Sequence, residues 1–152
     1  MPMKFPKMYR IRQKFDAIRV QNVESTVEAE LRRLSLTSIK PGQRVAITAG
    51  SRGIANIAEI LKAVVGYVKT LKAQAFVFPA TGSHGGATAR GQAEILRNLG
   101  ITETYLNVPI LSSMDVVEIA RTRDNVPVYV DKNALAADHI MVINRINAHT
   151  KF

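Results

Sequence analysis

His84 is the residue whose type and setting point most directly to chemistry. It stands in TGSHGG, residues 81–86, between Gly82 and the pair Gly85-Gly86, with Ser83 beside it and Thr88 placed to cap a following helix. Three glycines within five residues imply backbone angles that other residues avoid, or a ligand held against the main chain. A histidine in such a loop can act as a general base near neutral pH. A surface histidine in a turn explains the same letters, so the loop alone leaves both readings open.

A second glycine-containing loop, AGSRG at 49–53, offers a different set of groups. Gly50 and Gly53 permit close backbone approach, Ser51 brings a hydroxyl, and Arg52 a forked donor just ahead of a helix. That combination suits a phosphate or a carboxylate. An ordinary capping turn with a solvated arginine fits equally well. The loop is neither a Walker sequence nor a GxGxxG fingerprint. A third segment, NRINAHTKF, carries His149 near the chain end. His139, beside Asp138 at the start of a strand, reads as structural, and Arg121 and Arg123 flank a turn as solvated charge. Glu59 and Glu94 fall on helices away from the loops, so no acid pair is set for glycosidase-type catalysis.

Composition narrows the partners. The chain has no cysteine, which rules out disulfides, thiolate metal sites and a cysteine nucleophile and fits a cytoplasmic protein. Lys62, Lys69 and Lys72 interrupt the apolar stretches, so no segment reaches the roughly 20 residues a membrane helix needs. A formal charge of +9 and a pI near 10.2 raise nucleic acid as a partner. Against it, the basic residues are dispersed, tryptophan is absent, and no aromatic and basic residues interleave as a stacking surface. A basic field serves equally to attract a small carboxylate or phosphate ligand.

These loops need a scaffold, and the hydrophobic pattern supplies one. Residues 8–15 alternate, with Tyr9, Ile11 and Phe15 opposed to Arg10, Arg12 and Lys14, which predicts a half-buried strand with a basic outer face. The lack of an apolar central run argues against a signal peptide. Val23, Val27, Leu31 and Leu34 follow at helical spacing, with Asn22 or Ser25 as N-cap. After Lys40-Pro41-Gly42, residues 44–48 read as a buried strand, 54–71 as the clearest helix, 75–78 as a second strand and 88–99 as another helix stopped by Gly100. Strand, helix, strand, helix predicts a right-handed βαβ unit with parallel strands, which puts both glycine loops at one sheet edge. Residues 116–130 predict an antiparallel hairpin turning at 123–125, before a short helix at 133–137 and a third parallel strand at 139–143. The fold expected is α/β, a Rossmann-like open, mostly parallel sheet with one hairpin.

Together AGSRGIAN, TGSHGGATARGQ and NRINAHT resemble the N-terminal region of the nickel-dependent lactate racemase family, in its hydroxyacid racemase-like branch, over nearly the whole chain. The resemblance implies a two-domain α/β enzyme that uses a nickel-pincer nucleotide to racemise or epimerise a 2-hydroxy acid. It implies His84 and His149 as two bases flanking the substrate. Ser51 and Arg52 would hold the cofactor phosphate, with Gly53, Gly82, Ser83 and Gly85 in the same cofactor-binding loops. It also implies that the lysine anchoring the cofactor and the histidine binding nickel lie beyond Phe152, so residues 1–152 are expected to be an N-terminal portion, inactive alone and partnered by the rest of the enzyme. Departures from the lactate racemase pattern are Ala49 in place of an acid, Ser51 for Thr, Gly53 for Pro, and Gly85 where an arginine follows the histidine. They point to contacts that differ from those of lactate racemases, and away from lactate itself. The residues alone also support a non-catalytic phosphate- or nucleotide-binding α/β module.

Overall fold

The computed structural model describes residues 7–14 and 19–146. Its centre is a parallel three-stranded sheet of β1 (Arg44–Ala49), β2 (Gln74–Pro79) and β5 (His139–Met141), in the order β2-β1-β5. Two more strands, β3 (Val116–Arg121) and β4 (Pro127–Asp131), form a separate antiparallel hairpin. The helices are α1 (Val23–Arg33), α2 (Ile57–Thr70), α3 (Ala89–Asn98), α4 (Glu103–Leu106) and α5 (Lys132–Leu135). The chain is thus α/β, as its pattern of alternating strands and helices predicts.

β1 and β2 are nearly continuous apolar runs because both of their faces are covered. Val45, Ile47 and Ala49 of β1, with Ala75 and Val77 of β2, join the main core under α1, α2 and α3, where Leu31, Leu61, Val65, Val68 and Leu96 meet them. Ala46, Phe76 and Phe78 point the other way into a smaller cluster with Ala134 of α5. Leu61, Val68 and Leu96 are wholly buried, and each such side chain contributes roughly 1.5–3 kcal/mol of hydrophobic stabilisation. Residues 109–111 run beside the free edge of β2, bridged to Val77 through bonds of 3.0 Å from Val77 N to Pro109 O and 2.8 Å from Leu111 N to Val77 O.

Several boundaries shift for local reasons. Asn22, not Ser25, caps α1, its side chain accepting from Ser25 N at 2.9 Å. α2 begins at Ile57 rather than 54, because Gly53 (φ 62°) and Asn56 (φ 55°) are left-handed and keep the chain out of the helix. β5 stops at Met141 because the next ladder bonds are made by a side chain: Thr48 Oγ1 accepts from Ile143 N at 2.8 Å and donates to Ile143 O at 3.3 Å.

One expected element is absent. Residues 7–14 form no strand, and Tyr9 and Ile11 are 79% and 86% exposed. Alternation marks a chain able to pair, but a strand also needs an edge to pair with. The outer side of β2 is taken by residues 109–111, and the segment does not pair with β5. Phe15 lies outside the described residues. No helix among the described residues is long and apolar enough to cross a membrane.

Candidate active site

Parallel pairing decides where the two glycine loops meet. β1 and β2 are in register from Arg44 opposite Gln74 to Ala49 opposite Pro79, and the ladder runs one step further through Ala80 N to Ala49 O at 2.8 Å. Residues 50–53 and 81–86 therefore leave the sheet side by side at its carboxyl edge. There the Ser51 hydroxyl lies 2.8 Å from His84 Nδ1, across 33 residues of sequence. Both side chains are partly buried.

The histidine loop is held from the helix that follows it. Gly82, Gly85 and Gly86 have φ of 60°, 77° and 67°, and Ala87 is also left-handed at 53°. The Thr88 hydroxyl accepts from Gly91 N and donates to Gly85 O, both at 3.1 Å, tying loop to helix. Buried Gln92 donates from Nε2 to Gly82 O at 3.1 Å. Gly85 and Gly91 pack backbone to backbone, and a methyl group on Gly85 would stand 2.7 Å from Gln92 N. Gly85 is thus demanded by packing as well as by its positive φ. A side chain there would require the backbone of Gly91 and Gln92 to shift.

β5 brings the third loop to the same edge. The Thr48 bonds to Ile143 direct Asn144 and Arg145 toward the other two loops, and Arg145 Nη1 donates to Gly53 O at 2.8 Å. Gly50, Ser51, Arg52, Ile54, Ala80, Thr81, Gly82 and Asn144 line a cleft of about 180 Å³ between them. None of these residues is acidic. Arg52 is exposed at the rim and makes no ion pair among the described residues. Ala49 is wholly buried in the main core, where an acid would be costly, and the φ of 62° at Gly53 is closed to proline.

The structure brings together Ser51, Arg52, Gly53, Gly82 and His84. Ser83 is exposed and does not line the cleft, and Gly85 is turned against α3. His149 lies outside the described residues. His139 is structural, its Nε2 2.9 Å from Gln43 Oε1 at the opposite end of the sheet. Thr48, Thr81, Gln92, Asn144 and Arg145 were not singled out by the sequence. Each acts through a partner or neighbour distant along the chain, and only the position of Thr81, straight after a buried strand and before Gly82, gave a sign. Among the described residues no three His, Cys, Asp or Glu side chains gather to hold a metal ion.

What the arrangement can do is accept a proton at an imidazole steadied by a hydroxyl, beside a small cleft suited to an anion. A family model described as the lactate racemase N-terminal domain matches residues 9–152. Neither a search of curated proteins nor one of solved structures gave a match.

Proposed function

The chain belongs to the lactate racemase N-terminal domain family, and from that premise we propose that it forms part of the active site of a racemase or epimerase of a 2-hydroxy acid. The observation that carries the reading is the Ser51–His84 contact of 2.8 Å at the carboxyl edge of the sheet. It gives His84 a fixed orientation beside a cleft free of acids.

The cofactor implied by the family is a nickel-pincer nucleotide. The residues present suit its phosphate end: Ser51, Arg52 and the backbone of Gly50 and Gly82 would hold it, and Thr81 adds a buried hydroxyl without a partner among the described residues. They do not supply a nickel site, so the metal ligands would come from outside residues 7–14 and 19–146. When bound, the cofactor would supply the hydride acceptor for the substrate Cα. His84 would take the hydroxyl proton of one enantiomer at Nε2. Inversion at one carbon needs such a group for each face, and His149 serves the second. A steadied imidazole is the domain's own contribution; Arg52, charged at the rim, attracts the carboxylate or phosphate.

The test is interconversion of enantiomers. Cofactor-loaded protein incubated with a single enantiomer of a 2-hydroxy acid should generate the other, followed by chiral chromatography. A substrate deuterated at Cα should react more slowly. Loaded protein that leaves every 2-hydroxy acid unchanged would overturn the reading. A second reading, an anion-binding module without chemistry, is favoured by the small cleft and exposed Arg52. Arg52→Ala and His84→Ala separate the two readings.

A further inference from the structure

One residue lining the cleft has a hydroxyl that the fold itself does not use. Thr81 is 4% exposed, and its Oγ1 has no hydrogen-bond partner among the described residues. Native proteins seldom bury a hydroxyl in that state. Thr81 lines the same space as Ser51, Arg52 and Asn144. Two hydroxyls and an exposed guanidinium around a space without acids make a set of donors for an oxyanion.

The Ser51–His84 contact then has a consequence for the imidazole. A neutral imidazole carries one N–H, and a hydroxyl has one proton and two lone pairs. At 2.8 Å two arrangements are open. Either Ser51 donates to Nδ1, leaving the proton of His84 on Nε2, or Nδ1–H donates to Ser51 Oγ, leaving Nε2 with its lone pair and the serine proton free. An ionised oxygen only accepts, so one placed against Ser51 takes the serine proton and selects the second arrangement.

We propose that this cleft is an oxyanion subsite in which Thr81 is a donor and Ser51 a relay, so that binding a phosphoryl or carboxylate group fixes the Nδ1–H form of His84 and frees Nε2 as the base. Ser51 is in this sense a positioning residue. The idea deepens the racemase reading by linking occupancy of the subsite to readiness of its base, yet the link is measurable without turnover.

The chain labelled with ¹⁵N-histidine is titrated in alkaline buffer, where imidazoles are neutral, with inorganic phosphate and separately with lactate. The His84 resonances are assigned by their loss in His84→Asn. Saturation should move Nδ1 toward the protonated and Nε2 toward the unprotonated nitrogen shift. Ser51→Ala should bind anion yet show no such movement. Thr81→Val should bind about tenfold more weakly, the effect of one lost hydrogen bond to a charge, and Thr81→Ser should stay near wild type. Response to phosphate alone assigns the subsite to a phosphoryl group, and response to lactate alone to a carboxylate. The proposal is overturned if neither anion binds, if the nitrogen shifts ignore the anion, or if a folded Thr81→Val binds as tightly as wild type. The wild-type titration decides the coupling without any variant. Loaded protein that shows the coupling but no racemisation would sink the catalytic reading alone.

Discussion

Thr48 and Ile143, 95 residues apart, are joined through one hydroxyl, which accepts from Ile143 N at 2.8 Å and donates to Ile143 O at 3.3 Å. The side chain of one parallel strand thereby continues the ladder of its neighbour beyond the last backbone pair. It sets the exit of the loop bearing Asn144 and Arg145, whose far side is tied to Gly53 O by Arg145.

Thr48→Val keeps the shape of the side chain and removes both bonds. A destabilisation of about 1–3 kcal/mol is expected, read from urea unfolding. Hydrogen exchange at Ile143 should accelerate while that at Val45 and Ile47 stays slow. Equal protection in the variant would show that the loop is held by something else.

Gly82 and Gly85 should respond differently to alanine. Both have positive φ, but a Cβ at Gly82 meets open space whereas one at Gly85 meets the backbone of Gly91 and Gln92. Gly82→Ala is expected to cost about 1–2 kcal/mol. Gly85→Ala adds a clash with main chain and should cost at least about 2 kcal/mol more. Similar midpoints for the two variants would contradict the close approach of loop and helix.

Arg52 and His84 separate the two functional readings. In a racemase carrying its cofactor, His84→Ala should lower kcat by about 10²–10⁴-fold, the usual contribution of a general base, while the cofactor remains bound. In a binding module, Arg52→Ala should weaken anion binding and His84→Ala should change little. The paired measurements are turnover and phosphate affinity on the same variants.

Gln92 links α3 to the histidine loop through its bond to Gly82 O. Gln92→Leu, close in size, should cost about 1 kcal/mol in stability. Its sharper signature is faster amide exchange at residues 82–87 with little change in the sheet. Unchanged exchange there would mean that the glycine conformations are self-sustaining.

Much of this was legible in the chain because it is written locally. Gly100 ends a helix where its φ of 78° requires, and residues 123–125 turn a hairpin, with Asn125 at φ 61°. The apolar runs of β1 and β2, separated by one helix, implied parallel pairing and with it the two glycine loops at one edge. α4 went unforeseen because four residues show no period; it rests on the Thr102 cap, whose hydroxyl accepts from Tyr105 N at 3.1 Å.

The sequence by itself determined the α/β class, the two loops at one edge, and the family. Tertiary structure alone decided that Ser51 touches Nδ1 of His84, that Thr81 is buried without a partner, that Arg145 reaches Gly53, and that the alternating basic segment at 8–14 stays unpaired. The reason is the range over which each signal acts. Periodicity and glycine angles depend on neighbours a few residues away. A hydrogen bond across 33 or 95 residues, or a strand's need for an edge, depends on which elements the fold has already set side by side.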